Sequence, residues 1–255
     1  IKEDVLSKCP NLKLVNVAFT GTDHIDTDYC KKNGISVCNA AGYSTKAVAE
    51  LTIGMTILLL RNVVKMDAQT RLPAGRNNYL GTEIFDKTVG IIGTGAIGTA
   101  VAELFVAFGC KVLAYSRTQK TIDAVEFVEL DYLLSESDIV SLHIPATKET
   151  VNLLSAQRLM LMKPNAVLIN TARGTVVDYP ALAQMLKEGK IAGAAVDIYE
   201  TEPPLPKDHP LLDAPSTLLL PHIAYATTEA IMKRYDIVID NIKSFIEGNL
   251  KNRIV

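Results

Sequence analysis

Ten residues, Val89-Gly90-Ile91-Ile92-Gly93-Thr94-Gly95-Ala96-Ile97-Gly98, restrict the architecture of this chain more than any other stretch. Val89, Ile91 and Ile92 form a short apolar run that stops at a glycine, the pattern of a central parallel strand. Ile97, Val101, Leu104, Phe105 and Phe108 then recur at helical spacing, and Gly109 follows as a C-terminal stop. Between strand and helix, Gly93, Gly95 and Gly98 spell G-x-G-x-x-G. In that setting the first glycine permits a tight turn, and the second lets the backbone approach a pyrophosphate. The third lets the helix lie close to the strand. A helix starting here offers N–H groups and the positive end of its dipole to an anion, with Ala96 and Ile97 as the donors. Glycine turns that bind nothing share the hexapeptide; the flanking strand and helix favour a dinucleotide.

The alternation continues downstream. Strand-like runs at 111–115, 138–144, 166–170, 192–196 and 217–220 are separated by helical segments at 131–134, after Ser155 as a cap, at 178–189 and at 227–247. Asp178 caps the third of these segments, with Pro180 in its first turn and Gly189 at its end. This order predicts an α/β fold, a doubly wound parallel sheet with helices on both faces. Upstream, a helix end within 1–10, a strand over 12–19, a helix over 27–33 and a strand over 35–38 are too few elements to close a sheet. A βα portion of a second α/β domain is therefore expected to be either absent or supplied elsewhere. The expected division is 1–80, rejoined by the last helix and tail (227–255), and 81–226. A helix over 45–66, apolar on nearly every side, must be buried at a domain junction or a subunit interface. The polar stretch 71–81 reads as a link.

Composition limits the function classes. The 255 residues suit two modest domains, and 48% hydrophobic with 21% charged residues is a globular profile. A net charge of −2 gives no basic surplus for nucleic acid or an anionic membrane. The longest apolar run, 51–60, is too short to span a bilayer, and no secretory leader is visible. Cys9, Cys30, Cys38 and Cys110 are scattered, without a C-x-x-C pair or histidines at ligand spacing. That usage fits reduced thiols in a cytoplasmic protein and no metal site.

Ligands of such sheets bind beyond the carboxyl ends of the strands. Arg173, Asp197, Glu202 and His222 lie there. Singly, each has an ordinary explanation: a loop cation, a turn cap, a solvated charge, a core histidine. Four on three strand ends point to chemistry. The motifs Asn170-Thr171-Ala172-Arg173-Gly174, Val196-Asp197-Ile198-Tyr199-Glu200-Thr201-Glu202-Pro203 and Pro221-His222-Ile223-Ala224 resemble the signatures of the D-isomer-specific 2-hydroxyacid dehydrogenases. His143-Ile144-Pro145 and the helix after Gly42-Tyr43-Ser44 match as well, so the resemblance covers essentially the whole chain.

The resemblance implies a Rossmann NAD(P)-binding domain beside a flavodoxin-like substrate domain, N-terminally incomplete here. It implies hydride transfer between NAD(P)H and a small 2-oxo acid, with glyoxylate- or hydroxypyruvate-like substrates favoured. Arg173 would bind the substrate's carboxylate and carbonyl oxygen, His222 would exchange the proton, and Glu202, which directly precedes a proline, would pair with His222. Glu200 is the ordinary neighbour. Asp197, Thr171, Ala172 and Ala224 would lie on the nicotinamide side, with Thr150 a weaker candidate. Backbone amides of Thr20, Gly21 and Thr22 would help hold the carboxylate. One departure stands out. The second strand ends at Tyr115-Ser116-Arg117 without the acid that holds an NAD ribose, and Ser116 with Arg117 could grip a 2′-phosphate, which favours NADP(H). A homodimer through helix 45–66 is expected. The competing reading is a dinucleotide-sensing regulator on the same scaffold, which fold alone does not separate from an enzyme.

Overall fold

The glycine turn lies in the middle of a seven-stranded sheet in which every neighbouring pair is parallel. The structure is a computed structural model and describes residues 1–72, 75 and 78–255. It divides into two compact units, Ile1–Ala47 with Tyr225–Val255, and Val48–Ala224. The first unit holds α1 (Glu3–Leu6), β1 (Leu14–Val17), α2 (Thr27–Lys32), β2 (Ser36–Asn39) and the start of α3 (Thr45–Leu60). The second holds the rest of α3, then α4 (Val63–Thr70), β3 (Thr88–Ile92), α5 (Ala96–Ala107), β4 (Lys111–Tyr115) and β5 (Val125–Phe127). It continues with α6 (Leu130–Glu136), β6 (Ile139–Leu142), α7 (Ala156–Leu159), β7 (Val167–Asn170), α8 (Tyr179–Lys187), β8 (Gly193–Val196) and β9 (Thr217–Leu219). Helix α9 (Thr228–Ile246) belongs to the first unit.

The strand order is β5-β4-β3-β6-β7-β8-β9. The chain builds outward from β3 in one direction, then crosses back to β6 on its other side. The turn after β3 therefore sits where the winding reverses, the place where open α/β sheets take ligands. Alternate strand residues feed two cores. Ile92, Leu113, Val140, Leu142, Leu168 and Val196 meet α6 and α8 on one face. Val89, Ile91, Val112, Ile139, Val167 and Ile169 meet α3 and α5 on the other. Burial on both faces is why these strands read as continuous apolar runs.

Local chemistry fixes the helix ends. The Asp178 carboxylate accepts the Ala181 N–H at 3.0 Å, and the Thr227 hydroxyl accepts that of Ala230 at 3.1 Å. Ser155 occupies the N-cap of α7 but makes no capping bond there, contrary to the sequence reading.

Three further expectations change. The helix expected over 45–66 is two helices, because Asn62 adopts a left-handed backbone (φ 49°) and the axes bend by 60°. Asparagine tolerates that conformation, and the apolar pattern running into Val63 and Val64 hides the break. The apolar stretch of α3 is not reserved for a junction: Ala49, Ile53 and Met55 cover one face of the large sheet. Thr52 and Thr56 return their hydroxyls to the Val48 and Thr52 carbonyls, both at 2.8 Å. For the same reason the first division of the chain falls at Ala47/Val48 rather than near residue 80. The expected link over 71–81 includes residues 73, 74, 76 and 77, which lie outside the described residues. Strand β5, three residues at the sheet edge, was not expected.

The smaller unit has a two-stranded parallel sheet, β1 with β2, over a core of Leu6, Val17, Ile25, Cys30, Ile35 and Val37. Buried Asn241 of α9 donates to the Asn39 carbonyl at 2.9 Å, and the Asn39 amide donates to the Thr20 carbonyl at 2.7 Å. The loop with Thr20, Gly21 and Thr22 is thus tied to the end of β2. Among the described residues no single helix is long and apolar enough to cross a membrane, and no group of three metal-ligating side chains forms.

Candidate active site

At the turn after β3, two glycines are demanded by packing and one by space. Gly93 has φ +97°, and a Cβ there would stand 2.6 Å from the His143 carbonyl. A Cβ on Gly98 would stand 1.9 Å from the Gly93 oxygen. A Cβ on Gly95 would meet nothing within 4 Å, so this glycine keeps the front of the turn open. No side chain caps α5, whose N-cap is Gly95, which leaves the first-turn N–H groups of Ala96 and Ile97 to a ligand. The Thr94 hydroxyl beside them is buried and has no hydrogen-bond partner. A buried orphan hydroxyl next to an uncapped helix start fits an anionic group such as a pyrophosphate. Sequence reading passed over Thr94, although it stands inside the motif.

The packing yields an expected result. Gly98→Ala should lower stability by about 3 kcal/mol, the upper range for overpacking against backbone, and should abolish dinucleotide binding. Gly95→Ala should fold normally and lose only binding. Thermal unfolding and fluorescence titration with a dinucleotide check both.

Beyond β4, Ser116 is half-buried and Arg117 exposed. The acid near this position comes from another loop. The Thr147 hydroxyl donates to Glu149 at 2.6 Å. That bond lowers the Glu149 carboxyl below the usual range, and the positive charge of Arg117 adds to the effect. The Thr150 hydroxyl is committed within its own loop, donating to the Pro145 carbonyl at 2.7 Å and accepting the Thr147 N–H at 2.7 Å.

Arg173, Glu202 and His222 follow β7, β8 and β9, three adjacent strands. The Glu202 carboxylate accepts the His222 Nδ1–H with both oxygens, at 2.8 and 2.9 Å. His222 holds an unusual φ of +57°, which costs about 1–2 kcal/mol for a residue with a Cβ. Asp197 stabilises that turn. It is 1% exposed, and its two oxygens accept the Ile223 and Ala224 N–H groups, each at 2.8 Å. Burial raises the Asp197 carboxyl above the ordinary aspartate range, against the pull of those two donors. Asp197 and Ala224, both expected on the nicotinamide side, are bonded to each other here.

Glu200, two residues before Glu202, faces a different histidine, with its Oε2 3.3 Å from His209 Nε2. A guanidinium N–H of Arg173 donates to the Ala172 carbonyl at 2.7 Å, and the Arg173 carbonyl accepts from Asn170 at 3.0 Å. Thr171 Oγ1 is 3.3 Å from Thr52 Oγ1, and the Ala172 N–H donates to the Asn170 side chain. His143 also ends a strand, but desolvation pushes its imidazole down to about 3, and Nε2 lies 2.9 Å from the Ser141 hydroxyl. A ring that burial keeps neutral is poorly suited to donating a proton near neutral pH. Thr20, Gly21 and Thr22 lie in the smaller unit.

The family model described as D-isomer specific 2-hydroxyacid dehydrogenase, NAD binding domain, matches residues 53–224. A glyoxylate reductase of Thermofilum pendens is 41% identical over 265 residues, covering 100% of this chain and 78% of the relative. A D-lactate dehydrogenase from Aquifex aeolicus, solved with NAD and lactic acid, superposes with a TM-score of 0.90 at 36% identity, covering 97% of this chain and 80% of that one. An acyclic imino acid reductase solved with NADPH and D-Arg gives a TM-score of 0.90 at 36% identity over 96% of this chain and 79% of that one. With the parallel sheet, the glycine turn and the strand-end residues in place, the chain belongs to the D-isomer-specific 2-hydroxyacid dehydrogenase family.

Proposed function

We propose that this chain reduces small 2-oxo acids of the glyoxylate and hydroxypyruvate type to 2-hydroxy acids. The observation that carries the reading is the two-oxygen contact of Glu202 with His222, one strand from Arg173. Nicotinamide, when bound, supplies the hydride that adds to C2 of the oxo acid. The guanidinium of Arg173 binds the carboxylate and the C2 oxygen, a task suited to a planar fork that is always charged. As C2 accepts the hydride, negative charge moves onto its oxygen. His222 delivers a proton to that oxygen from Nε2, since Nδ1 is directed at Glu202. Glu202 holds the ring orientation and stabilises the imidazolium before transfer. Gly93, Gly95, Ala96, Ile97 and Gly98 hold the pyrophosphate, with Thr94 adding its hydroxyl. Asp197 acts through the turn that carries His222.

The test is oxidation of NADPH and NADH against a panel of 2-oxo acids. Turnover of glyoxylate or hydroxypyruvate is expected. Tight dinucleotide binding with no turnover of any acid would favour a sensor instead.

The reading includes a preference for NADP(H), supported by Ser116 and Arg117 where β4 ends without an acid. Arg117→Ala should weaken NADPH binding about 10- to 100-fold, the size of one or two charge-assisted hydrogen bonds, and leave NADH nearly unchanged. An unchanged NADPH/NADH ratio contradicts it. The reading also includes a homodimer through α3 and α4. Helix α4 has no buried residue and exposes Val63 and Val64, with Leu72 and Leu80 exposed beyond it. Sedimentation as a monomer at micromolar concentration would count against it. A cytoplasmic setting is supported by four cysteines present as thiols.

A further inference from the structure

We infer that Tyr179 is a positioning residue that couples the Arg173 turn to the loop bearing Glu202. The inference rests on the function proposed above and concerns how its two halves are held together.

The ladder between β7 and β8 ends at Asn170 and Val196, and the Asp197 N–H adds a last backbone bond to the Asn170 carbonyl. Past that point each loop leaves the sheet. Glu202 is six residues beyond Val196, with a side chain that is 70% exposed. An exposed carboxylate on such a loop keeps its place only if the backbone beneath it is fixed.

Tyr179, the first residue of α8, supplies the fixing. Its side chain is fully buried. Its hydroxyl accepts from the Asn170 amide at 2.8 Å and donates to the Ile198 carbonyl at 2.6 Å. The same Asn170 amide donates to the Arg173 carbonyl at 3.0 Å, and its oxygen accepts the Ala172 N–H at 3.0 Å. One continuous path therefore runs from the Arg173 carbonyl through Asn170 and the Tyr179 hydroxyl to Ile198. Two contacts extend it toward Glu202. Gly174 is pressed on the opposite loop, where a Cβ would lie 2.0 Å from the Tyr199 carbonyl carbon. His209 packs edge-on against Tyr199 and Tyr179, at 5.6 and 6.0 Å between centroids, and its Nε2 faces Glu200. Tyr179 touches neither dinucleotide nor substrate in this scheme. It acts through Arg173 on one side and Glu202 on the other.

The experiment uses Tyr179→Phe, which keeps the ring and removes the bridge, with Leu186→Ala as a control that loosens the other end of α8. Two readouts are taken. The first is the Nδ1–H resonance of His222 in protein labelled with 15N-histidine, tractable with four histidines in the chain and assigned by its loss in His222→Ala. In Tyr179→Phe this proton should exchange with water about tenfold faster, the equivalent of one lost hydrogen bond. The second is steady-state kinetics: kcat should fall about tenfold and the substrate KM should rise, with the dinucleotide KM unchanged. Added to Glu202→Ala, Tyr179→Phe should lower kcat by a smaller factor than it does alone.

Leu186→Ala should lower the melting temperature and move neither readout. An unchanged His222 resonance in Tyr179→Phe, or an equal change in Leu186→Ala, overturns the inference. If Tyr179→Phe does not fold, Asn170→Ala takes its place, because it removes the donor to the Tyr179 hydroxyl, and an unmoved resonance there is equally fatal. A wild-type protein that turns over no 2-oxo acid sinks the proposed function alone, because the resonance reports on the bridge without turnover.

Discussion

His222→Ala is expected to lower kcat for 2-oxo acid reduction by about 10²- to 10⁴-fold, the range for losing a general acid, with dinucleotide affinity unchanged. The second half follows from the sheet. The glycine turn follows β3 and His222 follows β9, with β6, β7 and β8 between them. Stability should change little. Glu202 is 70% exposed, so removing its partner leaves a carboxylate in water rather than an uncompensated buried charge. The backbone supplies an internal check. His222 sits at φ +57°, where alanine is strained as well. His222→Gly should therefore be more stable than His222→Ala by about 1 kcal/mol while being equally inactive. Measuring kcat and thermal midpoint for both variants separates loss of the imidazole from loss of the fold. Full activity in either would remove His222 from the proton-transfer step.

Arg173→Lys should reduce kcat/KM by about 10²- to 10³-fold, comparable to removing a preorganised donor from a developing oxyanion. Charge is conserved in this change, so the loss isolates the planar fork. An ammonium can meet the carboxylate or the C2 oxygen, but it cannot bridge both at fixed angles. The turn itself should survive, because its carbonyl is held by Asn170 and Gly174 is packed against Tyr199 whatever side chain stands at 173. The loss should therefore appear in both KM and kcat, without a change in melting temperature. Wild-type kinetics in Arg173→Lys would show that charge alone suffices and that the fork plays no part in polarising the carbonyl.

Much of the larger unit was legible because its strands are buried on both faces. Residues such as Ile91, Leu168 and Val196 then leave apolar runs that stop at glycine or polar punctuation. Asp178 and Gly189 marked helix ends by chemistry local to the sequence. What was not legible is decided by partners far away in the chain or by a single backbone angle. The order of β3, β4 and β6 in the sheet is a property of crossovers. The break at Asn62 is hidden by the apolar residues that continue past it. At the candidate site, the separate histidine partners of Glu200 and Glu202 depend on His209 and His222 being delivered from different loops. Asp197 looked like a ligand residue from its place at a strand end, yet its carboxylate is occupied by the backbone of the His222 turn. Tyr179 gave no signal beyond following a helix cap, since its role rests on Asn170 and Ile198, which reach it from two other strand ends.

The most direct test is the structure of the protein with a bound dinucleotide and an unreactive 2-oxo acid analogue such as oxamate. The expected arrangement has the analogue's carboxylate on the Arg173 guanidinium and its C2 oxygen about 3 Å from His222 Nε2, within hydrogen-bond reach. The pyrophosphate should rest on the N–H groups of Ala96 and Ile97. An analogue seated away from both side chains, or an imidazole turned so that Nε2 points off the C2 oxygen, would contradict the assignment of Arg173, Glu202 and His222 to a single reaction centre.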